Sequence, residues 1–467
     1  MTGFEGAVGD LEERGLKILS GPRALKDYRC DGLRSFRAAV RFTQPERIVV
    51  VFPRSTEDVV ETVRIANSHL IPIIPAGGMT GLMGGARPVR DSIILDMREM
   101  NRILEVNVDD RSVYCEAGVT LEDLDRRLRT EGFMLGHDPW TKPYATVGGS
   151  ISTNGMGYTA AAYGSIRRQV LGLEAVLPDA SIIRTRAVED TSTGPSIVQL
   201  LIGSEGVLGV ITKAVLRVYP IPEATVFKGF SFDSFDKGFK AVQHLFRSRV
   251  FPSALEYGEV FDGPSDPLGE YPSELFIMLE GFEEEVEARR RRLERMMKDY
   301  KAVEKDDRWA EELWEHRHDV AYRYMERVRR DDFDKWMAGR IFDFIHVSLP
   351  ASKVLEYRRR SGEILSHNGF KVVDRGIWKS PENFSIAFTK ESEEAVGEDV
   401  NVPAKTVDEL ISQAHMMGGS MEYCHGVGVK LAGHMLGEHG VAGLELLRRI
   451  KRALDPNNIM NPGKLGL

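Results

Sequence analysis

Cysteine is scarce: Cys30, Cys115 and Cys424 are the only three in 467 residues, and no two form a CxxC pair. That excludes zinc ribbons and iron–sulfur clusters built on paired thiolates, and it suits a reducing compartment. Long apolar runs are missing as well, so no segment reads as a bilayer span. The acidic opening MTGFEGAVGDLEERG has no apolar stretch of the kind a signal peptide needs. Positive charge is not in excess, since 62 Lys and Arg face 70 Asp and Glu for a net charge of −8. A nucleic-acid-binding surface is therefore not expected. The one basic cluster, ARRRRLERMMK at 288–298, follows EEEVE and reads as an exposed, salt-bridged helix. A cytoplasmic protein without a transmembrane segment is the expectation, with peripheral contact to a membrane left open.

Glycine, by contrast, is concentrated. IPIIPAGGMTGLMGGARP (71–88) places five glycines between Gly77 and Gly85, directly after an apolar run. Glycine costs conformational entropy on ordering, so a cluster marks unusual backbone angles or close approach of something to the main chain. The stretch lacks the G-x-G-x-x-G start and following helix of a dinucleotide-binding turn. It also lacks the lysine of a Walker-type loop. Two readings remain open from these residues alone, a structural loop and a backbone cradle for an anion.

Around it the pattern is mixed α and β. RIVVVFP (47–53) reads as a strand, and RSTEDVVETVRIANSH (54–69) as a helix capped by Ser55 with Asp58. SIILDM (92–97) is another strand, and SVYCEAGVTLEDLDRRL (112–128) gives strand, turn and a helix capped at Thr120–Asp123. Further glycine-rich segments lie at 144–164 and 200–224. After Pro220 and Pro222 glycine thins and charged helices increase, which marks a domain boundary. HVSLPASKVLE (346–356) and DVNVPAKTVDE (399–409) share strand, proline and helix start, predicting an antiparallel sheet with helices on one face. The tail reads as an amphipathic helix stopped at Asp455–Pro456.

Taken in order, PAGGMTGLMGG (75–85), DPWTKPYATVGGSISTNGMG (138–157) and GSEGVLGVI (203–211) resemble the FAD-binding domain of the vanillyl-alcohol-oxidase (PCMH-type) superfamily. The resemblance is to its D-lactate dehydrogenase, glycolate oxidase and alkyl-dihydroxyacetonephosphate synthase branches, and returns at CHGVGVK (424–430) and DPNNIMNPGKL (455–465). It implies an α+β fold: a two-part FAD-binding domain, residues 1–222 and a C-terminal segment 421–467, with an inserted cap of antiparallel sheet plus helices at 223–420. It implies FAD held through Pro75, Ala76, Gly77, Gly78, Met79, Thr80 and Gly81 at the pyrophosphate. Trp140, Thr141, Tyr144, Ala145, Thr146, Val147, Gly148 and Gly149 would line the flavin ring and phosphates, with His137 nearby. Thr153, Asn154, Gly155 and Met156 would add contacts. Glu205, Gly206, Gly209, Val210 and Ile211 would clasp the adenosine end. Ala76 and Met79 depart from the usual arginine and glycine, and Met79 must then adopt a glycine-like backbone. No histidine or cysteine stands where covalent members attach the flavin, so non-covalent FAD is expected.

For chemistry, the resemblance implies oxidation of a small D-2-hydroxy acid, lactate- or glycolate-like, by hydride transfer to flavin N5. His425 is the candidate base, although an isolated histidine in a turn is more often structural. Arg317, in ELWEHRHDVAYRY (312–324), is the candidate for gripping the carboxylate; its plainer reading is a surface ion pair. Trp378, Phe384 and Tyr423 are candidate substrate contacts. The histidine cluster that holds a divalent metal in many relatives is replaced by GIWKSPENFSIAFT (376–389), so no metal is expected. Alternatives are a flavin-dependent transferase resembling alkyl-dihydroxyacetonephosphate synthase and a non-catalytic flavin-binding subunit. Expected partners are the 2-hydroxy acid, an electron acceptor that nothing in the sequence selects, and a second copy of the chain as a homodimer.

Overall fold

The computed structural model describes residues 3–33, 45–330, 339–391 and 401–467. Strand parity builds the first layer. Ile48–Val51, Ser92–Asp96 and Ile73–Ala76 form a parallel sheet in that order, edged by the antiparallel pair Ile18–Leu19. Alternate residues point to opposite faces. Val49, Val51, Ile93 and Leu95 therefore pack under the helices Phe4–Glu13 and Thr56–His69, while Ile48, Val50 and Ile94 meet Ala24 and Tyr28 of Pro22–Tyr28. Both faces are covered, which is why these strands are apolar throughout. Ser55 and Thr120 cap as expected, accepting from Asp58 N–H and Asp123 N–H.

A second, antiparallel sheet follows, ordered Ile103–Asn107, Ser112–Glu116, Val210–Arg217, Val170–Val176, Ile182–Arg184. The tail returns to the first sheet. Ile73 N–H donates to the Ile459 carbonyl at 2.7 Å and Asn461 N–H to the Ile73 carbonyl at 2.8 Å, so residues 459–461 run along the edge strand.

Residues 224–391 supply a seven-stranded antiparallel sheet, ordered Val303–Glu304, Ala224–Phe232, Ser273–Gly281, Ala254–Glu259, Lys371–Trp378, Asn383–Glu391, Arg340–Ser348. One face, through Leu275, Ile277, Leu279, Phe384, Ile386 and Phe388, packs under four helices, Phe235–Arg247, Glu283–Asp299, Val354–His367 and Asn401–Met416. The other face is not bare. Trp309, Ala310 and Trp314 of Asp307–Glu315 pack on Phe227, Phe276 and Met278 there. The helix Glu283–Asp299 carries the basic cluster as expected, with Arg290 paired to Glu287 and Glu294.

Two expectations change. The second β–proline–helix unit does not appear as written: Asp399 and Val400 lie outside the described residues, and Asn401 and Val402 already belong to a helix that runs through Pro403. Proline is accepted in a helix's first turn, where its missing N–H would have no partner. Phe384, a candidate substrate contact, is fully buried on the helix-covered face between Phe235 and Tyr357, because strand parity points it away from the open side. Among the described residues no helix is long and apolar enough to cross a membrane. Phe384→Ala should lower stability to denaturant by about 3–5 kcal/mol, with no change in the ligand content of the protein that remains folded.

Candidate active site

The glycine stretch leaves the carboxyl end of Ile73–Ala76 and packs its main chain tightly against neighbouring segments. A Cβ at Gly77 would lie 2.2 Å from Thr146 Oγ1, and one at Gly78 only 1.9 Å from the Tyr144 carbonyl oxygen. The far end of the loop is equally tight. A Cβ at Gly84 would sit 2.5 Å from Val429 Cγ2, and one at Gly428 would sit 2.0 Å from the Met83 carbonyl oxygen. Met79 takes the left-handed backbone expected of it, with φ 56°. The cluster therefore serves close approach of three chain segments, 77–85, 144–149 and 425–430.

Between these segments lies a cleft of about 1240 Å³, its open mouth included. Among the described residues no backbone acceptor takes the amide N–H of Gly77, Gly78, Met79, Thr80 or Gly81. Five consecutive unclaimed donors on a cleft wall fit an anion such as a pyrophosphate. The neighbouring segment is different, since Val147 and Gly148 N–H already donate to the Val119 and Ala117 carbonyls at 2.9 and 2.8 Å. Most of the expected cofactor residues line this cleft: Pro75 to Gly81, His137, Trp140, Thr141, Ala145, Thr146, Gly148, Gly149, Thr153, Gly155, Met156, Glu205, Gly206, Gly209 and Ile211. Four do not. Tyr144 turns outward against Tyr322, Val147 and Val210 sit in the core, and Asn154 forms the left-handed cap of Val147–Thr153. His137 is buried, and burial lowers its imidazole to about 4, so it is neutral at pH 7.

His425 and Cys424 complete the cleft from the tail side. The turn that carries them is held by Glu422, which accepts Cys424 N–H at 2.7 Å and His425 N–H at 3.0 Å. The same Oε1 stands 3.7 Å from His425 Nδ1. Burial pushes the Glu422 carboxyl up to about 8 against those donors. Burial also raises the Cys424 thiol far above its ordinary value, which disfavours the thiolate. His346, from the strand Arg340–Ser348, stacks edge-on to His425 with ring centroids 4.6 Å apart. Ser385 Oγ contacts both His346 Nδ1, at 2.8 Å, and the Tyr423 hydroxyl, at 2.7 Å. Glu422, His346 and Ser385 were missed by sequence reasoning. Glu422 was legible, two residues before Cys424; the others arrive on strands remote in sequence.

Arg317 sits one contact further out. Its Nε–H donates to Asp138 Oδ2 at 2.8 Å and its Nη1–H to the Trp314 carbonyl at 2.6 Å. Asp138 lies between the cleft-lining His137 and Pro139. Burial alone would raise its carboxyl, but hydrogen bonding from His318 and the charges of Lys142, Arg317 and His318 hold it well below the usual range. Trp378 packs against Tyr158 with ring centroids 5.9 Å apart, on the open face of the seven-stranded sheet. Among the described residues no group of three His, Cys, Asp or Glu side chains is arranged to hold a metal.

The FAD binding domain model matches residues 48–186, and the model for the C-terminal domain of FAD linked oxidases matches residues 221–465. The chain is 33% identical to a D-lactate dehydrogenase of Archaeoglobus fulgidus, over 90% of this chain and 91% of the relative. It is 26% identical to the glycolate oxidase subunit GlcD of Bacillus subtilis, over 98% and 96%. Its fold matches that of a 4-ethylphenol oxidase from Gulosibacter chungangensis (TM-score 0.76, 20% identity, 99% of this chain and 97% of that one). It also matches an alkyldihydroxyacetonephosphate synthase (TM-score 0.71, 21% identity, 90% and 77%). FAD is thus the cofactor, and the unclaimed amides of residues 77–81 fit its pyrophosphate. Gly78→Ala should purify largely without flavin, because its methyl group meets the Tyr144 backbone. Gly81→Ala, whose Cβ would lie 3.5 Å from Asp31 Oδ2, should retain it; flavin absorbance per protein distinguishes the two.

Proposed function

Because the chain belongs to the FAD-linked oxidase family, we propose that it oxidises a small D-2-hydroxy acid, of lactate or glycolate size, to the 2-oxo acid. The observation that carries this reading is His425 on the wall of the same cleft as the amide cradle. In it, residues 1–222 with 421–467 form the flavin side and 223–420 the substrate side. Bound FAD supplies the hydride acceptor. The chain supplies a proton acceptor, a grip and a dry pocket.

His425 takes the hydroxyl proton, a task for neutral imidazole. Glu422 holds the backbone of the turn that carries the ring, and the imidazole of His346 stands beside it. Arg317 grips the carboxylate. Asp138 and the Trp314 carbonyl take its Nε–H and Nη1–H and so fix the plane of the guanidinium, leaving Nη2 for the substrate. The second N–H of Nη1 is left as well, so two neighbouring nitrogens remain for the carboxylate. Tyr158 and Trp378 supply an aromatic wall for the rest of the molecule, and the Tyr423 hydroxyl, tied to Ser385, lies on the same side.

The visible spectrum of the holoprotein, recorded anaerobically with a panel of D- and L-2-hydroxy acids, tests the proposal. The flavin band should bleach with a D-acid and persist with its L-enantiomer. A band that survives every acid would turn the reading to flavin-dependent transfer without net oxidation. His425→Ala should keep its flavin while flavin reduction slows by about 100-fold or more; loss of flavin instead would make His425 structural. Arg317→Ala should raise KM for the acid by about 10-fold or more, and an unchanged KM would confine Arg317 to the Asp138 contact.

A further inference from the structure

Glu205 stands where the glycine loop, the His425 turn and the tail converge. Its two carboxylate oxygens accept separately, Oε1 from Val427 N–H at 2.6 Å and Oε2 from Gly428 N–H at 2.8 Å. Its own main chain is fixed from behind. The Asn461 side-chain amide donates to the Glu205 carbonyl at 2.6 Å and to the Gly85 carbonyl at 2.8 Å, and Glu205 itself holds a left-handed backbone with φ 48°.

Other attachments flank these two bonds. Glu422 takes the N–H groups of Cys424 and His425, and the Met83 carbonyl takes those of Val429 and Lys430. The Gly428 carbonyl accepts Leu465 N–H at 3.2 Å and the Val427 carbonyl accepts Leu431 N–H at 3.0 Å, while Glu205 takes the two N–H groups at the middle of the turn. Residue 426 must be glycine for the same reason, since a Cβ there would lie 2.7 Å from Glu205 Oε1 and φ is +83°. Two amide donors aimed at two oxygens suit an ionised carboxylate, and charge-assisted bonds of this kind are roughly twice as strong as neutral ones. Burial pushes the Glu205 carboxyl up to about 7, against the donors of Val427 and Gly428 and the nearby charge of Lys464. Charge on the carboxylate and docking of the turn therefore favour one another by linkage.

We propose that Glu205 is a positioning residue that docks the His425 turn onto the flavin-binding cleft, and not a clasp for the adenosine end of the cofactor. Flavin affinity and the placement of the base are then separable properties of this cleft wall. Glycines 84 and 85, at the loop's far end, serve the docked turn as much as the cofactor.

Glu205→Gln tests this in the holoprotein, although its rate prediction rests on His425 being the base. The amide keeps the shape, but its NH2 group opposes a backbone N–H donor. Flavin affinity should stay within about 3-fold of the wild type. Turnover should fall about 10- to 100-fold at nearly unchanged KM, the size that losing a hydrogen bond to a charged group carries. Amide hydrogen exchange should accelerate at Val427 and Gly428 and stay unchanged at Val429 and Lys430. Gly426→Ala, which presses a methyl group on the same carboxylate, should give the same pattern. Turnover falling in step with flavin loss would overturn the proposal and make Glu205 a cofactor ligand. Unchanged exchange at 427 and 428 would overturn it as well. Flavin affinity and exchange need no substrate, so they decide this point even if no hydroxy acid is oxidised.

Discussion

Everything at this site depends on the close approach of a glycine backbone to its neighbours. The loop 77–85 touches residues 144–146 at one end and 425–430 at the other, at separations that leave no room for a Cβ at Gly77, Gly78, Gly84 or Gly428. The glycine backbone meets carbonyl groups at Gly78 and Gly428 and the side chains of Thr146 and Val429 at Gly77 and Gly84. Among the described residues the amides of residues 77–85 have no backbone acceptor, and residues 77–81 line the cleft. The amide cradle and the contact with the His425 turn are thus two ends of one packed loop.

A second constraint is electrostatic. Asp138 is buried at the seam between the flavin side and the helical hairpin of residues 307–330, and it is surrounded by Lys142 at 3.1 Å, Arg317 at 2.8 Å and His318 at 3.3 Å. A buried carboxylate so paired is costly to break, because removing one partner leaves charge without compensation. The pairing also changes what Arg317 can offer. With its Nε–H on Asp138 and one Nη1–H on a backbone carbonyl, the plane of the guanidinium is fixed.

Much of the fold was legible. The parallel strands read as short β-branched runs because both of their faces are buried, and the helices beginning at Thr56 and Leu121 announced themselves by their caps. The cofactor segments were legible as three glycine-rich stretches whose order and spacing matched a known family. Phe384 was misread because composition does not report strand parity: an aromatic residue near a candidate site looks the same whichever face it occupies. Tyr144, Val147, Asn154 and Val210 were included because a motif is contiguous, whereas its side chains alternate between cleft and core.

By itself the sequence determined the cofactor class, the order of the elements and the histidine set in a glycine turn, because these follow from local backbone requirements and from motif spacing. Only the tertiary structure decided what surrounds that histidine. His346 reaches it on a strand paired with the one that carries Ser385, its hydrogen-bond partner, and Glu205 holds its turn from a position 220 residues earlier in the chain. Contacts of this kind are set by sheet register and by the docking of the tail on Ile73–Ala76, and neither leaves a periodic trace in the residues that make them.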